Sequence, residues 1–365
     1  MSLFHIDAGR EWREPQRQIL VLARKLREKG YIAHFVVPPG SALGGKAAEA
    51  GLTVTALDAA AGLGFAGRLG LARAMRRRGC VLVHFHDLAS AAACGKAAIR
   101  AKVPLRVLSP RADSGGRAPR LEARDYDAFV VPSAGAKDVL VRGGIPEPQI
   151  DVIPGGIDFG PFEDVKERDF LRREFGFGAD DFLVGIVAHL DDERGVRSLL
   201  EAAVIVTRHA PKIKLIILGE GSLRLGDGDE PLDRAAGSFA YYLGFRDDAA
   251  KVLASLNLFI MSSHLRGLGG PILDAMASKL PVIATQVAGV PEFIVHRESG
   301  LLVPPRDPKS LADAVLKVYL DRNLANRLAA AGYDSAYQKF STEAKVLKII
   351  ELYERLASRK GVKLG

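Results

Sequence analysis

The stretch from Leu256 to Thr285 restricts the fold more than any other part of this chain. Leu256 to Met261 is an unbroken apolar run of strand length, Gly267, Gly269 and Gly270 follow in a short loop, and Pro271 stands where a helix starts. Ile272, Leu273, Met276 and Leu280 give that helix an apolar face, and Pro281 to Thr285 returns as a second buried strand. Strand, glycine loop, helix and strand together form a parallel unit. The first-turn N–H groups of such a helix are unpaired, and glycines remove the side chains that would hold a phosphate away from them. The loop reads as an anion site. A tight turn with no ligand is the plainer alternative, and one motif does not separate the two.

With 365 residues the chain is too long for one ordinary core and suits two domains. A hydrophobic fraction of 48% and a mean hydropathy of +0.08 fit a soluble protein with large cores. No run of roughly 18 apolar residues occurs, and the N-terminus lacks the basic-then-apolar pattern of a signal peptide. The expectation is therefore a cytoplasmic protein. Cys80 and Cys94 have neither metal nor redox spacing and read as reduced core thiols. The net charge of +8 admits nucleic acid, an anionic membrane or an anionic substrate. Basic residues are dispersed and no nucleic-acid-binding signature is present, which sets the first of these aside.

The same alternation recurs along the chain. Ser2 to Ile6 and Tyr31 to Val37 read as strands flanking a helix from Gln16 to Lys29. Phe65 to Arg78 reads as a helix with Phe65, Leu69, Ala72 and Met75 on one face and five arginines elsewhere. It fits either an interfacial membrane helix, giving peripheral contact with the inner face of a membrane, or an ordinary surface helix with cations at its C-terminal end. Val81 to His86 is a strand whose C-terminal end lies where open parallel sheets bind ligands. One of His84 and His86 is then packed and the other, better His86, faces the ligand. Strands follow at Pro104 to Ser109 and Ala128 to Pro132, with a polar loop, Pro110 to Pro119, between them. Ser133 reads as the N-cap of a helix, and Ile150 to Asp158 closes a first domain.

A second domain opens with the strand Leu183 to His189 and a helix from Val196 to Arg208. Lys214 to Leu218 is a strand running into Gly219-Glu-Gly221. Arg246 to Ala249 caps the helix that precedes Leu256. Gly289 to Ile294 reads as a turn and helix start, followed by Gly300 to Pro304. Ser310 caps a helix from Leu311 to Leu320, and helices from Arg322 to Lys339 and Ala344 to Ser358 complete the chain. The domains are placed at 1–160 and 169–340, with a hinge in Phe159 to Asp169.

This order of motifs resembles the retaining nucleotide-sugar glycosyltransferases of group 1, the family-four type with the GT-B fold, along nearly the whole chain. The resemblance implies an α/β protein: two doubly wound, Rossmann-like domains facing a central cleft, the second holding the donor and the helix 341–358 packing back on the first. It implies transfer of a sugar from a nucleotide diphosphate sugar to a glycan, lipid or small-molecule acceptor. Envelope polysaccharide or lipopolysaccharide biosynthesis is the usual setting. No cofactor and no metal are implied, since cations and amides stabilise the leaving diphosphate.

Carried over residue by residue, the resemblance makes His86 the cleft histidine and Arg194 a diphosphate clamp. His189 stands where the family has a second clamping cation, and a buried structural histidine is the rival reading for it. Gly219, Gly221 and Leu243 fall at strand ends near the nucleotide, and Gly267, Leu268, Gly269 and Gly270 form the phosphate loop. The family's paired glutamates, seven residues apart, are here Arg266 and Asp274. Asp274 keeps a ribose acceptor, with a first-turn acid on a helix dipole as its alternative. Arg266 reverses a charge and is a candidate replacement for the cation lost at His189. At 4 Å from a phosphate such a charge is worth about 4 kcal/mol at an effective dielectric of 20, before desolvation. The family's glycine pair before the first helix is replaced by Glu14-Pro15. These departures together also fit a homologue that has lost catalysis and binds a nucleotide sugar or serves as a scaffold.

Overall fold

The computed structural model describes residues 1–58, 63–110, 122–191, 194–221, 239–265 and 269–364. The chain divides into two compact units, Met1–Gly156 with Thr342–Gly365, and Ile157–Ser341. Thr342–Lys360 is a helix of the first unit. The division falls at Gly156 and Ile157, ahead of the expected hinge. Phe159 is already buried in the second unit's core, and Ile157 forms a parallel bridge with Ser341. Gly156 is required there because a Cβ would lie 2.7 Å from the Cα of Thr342.

The first unit contains a seven-stranded sheet. Its strands are β1 (Ser2–Ile6), β2 (Ile32–Val37), β3 (Thr53–Ala56), β4 (Cys80–Phe85), β5 (Leu105–Leu108), β6 (Ala128–Val131) and β7 (Ile150–Val152). They run parallel in the order β3-β2-β1-β4-β5-β6-β7. Helices cover both faces, which is why all five residues of β1 and all six of β4 are buried. Phe4, Ile6, Val83 and Phe85 face Leu71, Ala72, Met75 and Cys94. Leu3 and Leu82 face Leu22, Leu26, Val346, Ile350 and Tyr353 on the other side.

Leu71, Ala72 and Met75 of the helix Phe65–Arg77 are therefore committed to the core. Phe65 of the same helix is 75% exposed, with Arg100 over one side of its ring. No helix among the described residues is long and apolar enough to cross a membrane. Cys80 and Cys94 are buried free thiols, each pushed up to about 12 by burial. Ser133 caps the helix Ala134–Arg142 by accepting the N–H of Ala136. Ser133→Ala is expected to lower the stability of the first unit by about 1 kcal/mol, or roughly 2–4 °C in Tm, as read by thermal denaturation.

The second unit contains a six-stranded parallel sheet in the order β10-β9-β8-β11-β12-β13. Its strands are β8 (Phe182–Val187), β9 (Ile213–Leu218), β10 (Ala240–Gly244), β11 (Leu258–Met261), β12 (Val282–Thr285) and β13 (Leu301–Val303). Several local expectations are corrected. The opening helix begins at Gly269, so Pro271 sits inside its first turn, where no N–H is needed. The segment after Gly289 makes only a 3-10 turn, Val290–Glu292. Asp307, not Ser310, caps the helix Pro308–Leu320: its Oδ1 accepts the Ser310 N–H and its Oδ2 the Ser310 hydroxyl. Pro308 sets the helical φ three residues earlier than a serine cap at 310 would require. Asp248 precedes the helix Ala249–Ser255 without capping it, because Arg246 holds its carboxylate and also pairs with Glu174.

Candidate functional site

Each sheet reverses its winding once, between β1 and β4 in the first unit and between β8 and β11 in the second. Loops leave in opposite directions from the strand ends at such a point and open a crevice.

In the first unit three imidazoles cluster at this point. The register pairs His5 with His84, so these two rings share a sheet face, and His86 joins them two residues beyond His84. His5 and His84 are fully buried and His86 is 6% exposed. His84 is the packed histidine: its Nδ1 meets the Tyr353 hydroxyl at 2.6 Å and its Nε2 the Ser109 hydroxyl at 2.7 Å. His86 lies over His84 with ring centroids 4.1 Å apart, and its Nε2 is 3.0 Å from His5 Nδ1. Burial lowers the pKa of His5 to about 4, and it lowers that of His84 well below the ordinary value, so both are neutral at physiological pH.

The three rings bring nitrogens within 4.8 Å of one another, a spacing that could hold a metal ion. Both His84 nitrogens are already engaged, so a metal there would break a buried hydrogen bond. The loop after β1 is tied down beside them. Asp7 accepts from Gly9 N and Gln16 Nε2, and Asp87 accepts from Ala8 N and Ser90 N. A Cβ on Gly9 would lie 2.4 Å from Gln16 Nε2. Gly9 thus makes room for Gln16 ahead of the helix Glu14–Glu28, whose first residues are Glu14 and Pro15.

In the second unit the described residues just beyond β8, β9 and β11 pack closely on one another. Gly195 has a φ of +69° and precedes the helix Val196–His209; a Cβ on it would fall 1.9 Å from the Ser262 carbonyl oxygen. The Ser262 hydroxyl donates to Arg194 O, the Arg194 N–H donates to Asp191 Oδ1, and His264 Nε2 meets the Ser198 hydroxyl at 3.1 Å. Arg194 is half-buried and His189 is exposed at the end of β8, which removes the buried structural reading of that histidine. Gly219 and Gly221 are required for packing: a Cβ would lie 1.8 Å from Ala188 O and 2.1 Å from Leu190 O. They seat the β9 loop against the β8 loop that carries His189.

Of the expected glycine loop, Gly269 gives way to the Phe293 ring, 2.2 Å from where its Cβ would be, whereas Gly270 is exposed with open space around it. Arg266, Gly267 and Leu268 lie outside the described residues, as do 111–119 of the polar loop in the first unit. Asp274 is half-buried in the second turn of its helix, not the first, so the dipole account of it does not apply. Leu243 is partly buried on β10 against the core. The residues that sequence reasoning missed are His5, Gly9, Gly195 and His264. Strand parity across a doubly wound sheet would have found the first of them.

Residues 181–321 match the family described as Glycosyl transferases group 1, and residues 15–160 match Glycosyltransferase Family 4. The match over 181–321 takes in the switch point of the second unit, and the match over 15–160 includes β4 but begins after β1. The chain belongs to the group 1 glycosyltransferases. The chain is 30% identical over 189 residues to the lipopolysaccharide core biosynthesis glycosyltransferase LpsE of Rhizobium meliloti, covering 52% of this chain and 53% of that one. It is 28% identical over 192 residues to N-acetyl-alpha-D-glucosaminyl L-malate synthase of Bacillus anthracis, covering 51% and 48%. In these alignments the chain spans about half the length of the relatives. Among solved structures, a glycosyltransferase from Rickettsia africae ESF-5 superposes with a TM-score of 0.75 at 16% identity, over 97% of this chain and 98% of that one. Anabaena Alr3699/HepE, solved in complex with UDP and glucose, superposes with a TM-score of 0.68 at 18% identity, over 97% and 100%. These likenesses extend the GT-B fold over nearly the full chain.

Proposed function

We propose that this protein transfers a sugar from a nucleotide diphosphate sugar to a glycan, lipid or small-molecule acceptor, with retention at the anomeric carbon. The observation that carries the proposal is Arg194. Its main chain is fixed by Asp191 and Ser262, and the next residue opens the N-terminus of Val196–His209 at the switch point of the second sheet. A guanidinium beside a helix N-terminus supplies a planar donor fork together with the dipole, the combination that stabilises charge growing on a leaving diphosphate.

In this reading the open Gly270 admits the phosphates, Asp274 accepts from the ribose, and Arg266 is the second cation in place of His189. Within the first unit, His86 is the candidate for contact with the acceptor. The imidazole cluster and the Arg194 corner are both built and tied down, which favours an active enzyme over a scaffold. The Anabaena neighbour's UDP makes uracil the first base to try.

The test is a thermal-shift panel of UDP, GDP, ADP and their sugar conjugates. A nucleotide at a hundred times its dissociation constant adds about 2.7 kcal/mol to the stability of the unit that binds it. For a unit of this size that is a rise of roughly 5–10 °C in its midpoint. One nucleotide family is expected to produce it. No shift with any of them at millimolar concentration sinks the donor assignment.

A further inference from the structure

We propose that the outer face of the helices Phe65–Arg77 and Leu88–Arg100 docks this protein on the surface of an anionic phospholipid bilayer. The inference goes beyond glycosyl transfer and does not rest on it.

Positive charge is concentrated in one stretch of the chain. Residues 63–110 carry nine lysines and arginines and one acid, an excess as large as the +8 of the whole chain. That acid, Asp87, accepts from Ala8 N in the loop after β1 and from Ser90 N at the start of Leu88–Arg100. Arg73, Arg76, Arg77, Lys96 and Arg100 are exposed, and none of them forms an ion pair with a described carboxylate. On the other side of the sheet the pattern is different: Lys25 pairs with Glu28, Arg355 with Asp151 and Lys360 with Asp127. A field of one sign that the fold leaves uncompensated draws a protein to a surface of the opposite sign.

The two helices form one layer. Leu71, Ala72 and Met75 of the first and Ala91, Cys94, Ala97 and Ala98 of the second enter the same core. At the surface Arg76 Nη2 donates to Arg100 O at 3.4 Å, and the Arg100 guanidinium lies 5.9 Å from the centre of the Phe65 ring. Phe65 is 75% exposed and Ile99 41%. Ala66, Gly70, Ala89 and Ala92 are the other exposed residues of the two helices, so every exposed position is a cation, an apolar residue or a glycine.

That composition selects the partner. Short side chains let the face lie close to a flat surface, the cations meet lipid phosphates, and Phe65 and Ile99 enter the boundary between headgroups and acyl chains. A nucleic-acid site draws on hydrogen-bonding side chains as well as cations, and no Ser, Thr, Asn or Gln is exposed on either helix. The residues facing the bilayer are distinct from those facing the sheet, so docking needs no helix to leave the core.

The test is sedimentation with vesicles of phosphatidylglycerol and phosphatidylcholine, with pure phosphatidylcholine vesicles as the neutral arm. Binding is expected to the anionic vesicles only, and to weaken as salt approaches about 1 M, where the Debye length is about 3 Å. Arg73→Gln/Arg76→Gln/Arg77→Gln is expected to weaken it about a hundredfold. Arg24→Gln/Lys29→Gln/Arg359→Gln removes the same charge from exposed positions of the other helical layer and should change it less than about fivefold. Equal losses in the two triple variants overturn the proposal, as does native protein that stays in solution with anionic vesicles at low salt. Location is read separately. Trp12 is the one tryptophan of the chain, so in Trp12→Phe/Phe65→Trp the emission reports on position 65 alone. A blue shift with anionic vesicles is expected. Emission that does not shift with them overturns the proposal, whether or not duplex DNA produces a shift. Neither readout uses a nucleotide sugar, so a failed donor screen would remove the glycosyl-transfer reading and leave this one standing.

Discussion

Arg194→Ala is expected to lower kcat/KM with a nucleotide-sugar donor by about a hundredfold, close to 2.7 kcal/mol of transition-state stabilisation. The estimate follows from the kind of contact removed. A preorganised donor aimed at charge that develops in the transition state is worth more than an exposed ion pair, because its orientation is already fixed before reaction. Here the orientation comes from the main chain: Asp191 and Ser262 hold both sides of the Arg194 peptide. Among the described residues no carboxylate forms an ion pair with the Arg194 guanidinium, so its loss should leave the melting temperature within about 2 °C of the native value. Arg194→Lys keeps the charge but loses the planar fork, and should fall between the two. Steady-state kinetics beside a thermal melt checks this. Full activity in Arg194→Ala would remove the residue from the donor site.

The second large effect is on stability. Gly195→Ala is expected to cost at least about 3 kcal/mol, a fall of roughly 6–12 °C in the melting temperature of the second unit. Two terms contribute. The φ of +69° disfavours any L side chain by about 1–2 kcal/mol. The new Cβ would also stand 1.9 Å from the Ser262 carbonyl oxygen and 2.9 Å from His264 Nε2, so the β8 and β11 loops must part. Gly176 provides the control, since it has the same φ of +69° but nothing within 4 Å of a Cβ. Gly176→Ala should show the conformational term alone, about 1 kcal/mol. Equal losses in the two variants would mean that the β8 and β11 loops are not in contact at Gly195.

Much of the architecture was legible because parallel strands buried on both faces must be apolar throughout. Phe182–Val187 and Leu258–Met261 are such runs, Ile213–Leu218 is one apart from Lys214, and each is a strand within one or two residues of its expected place. Helix ends were less legible. A run such as Asp307-Pro-Lys-Ser310 offers two capping side chains, and the choice between them depends on where Pro308 fixes φ. Glycines were the least legible residues of the site. Gly219, Gly221 and Gly269 read as ligand-facing positions, yet each makes room for a neighbour in the fold: two carbonyl oxygens and the Phe293 ring. From sequence alone, a glycine that admits a ligand and one that admits a neighbouring loop look identical.

By itself the sequence determined the alternation of strand and helix, the two-unit organisation and the places of the strand ends. These depend on periodicity and on turn residues that act over a few positions. Only the tertiary structure decided which residues meet at those strand ends. His5 joins His84 and His86, Tyr353 reaches His84 from a helix 269 residues away, and Gly195 closes against Ser262, because winding order and register bring them together. Pairings across a sheet are properties of the assembled layers, and no local pattern in the chain encodes them.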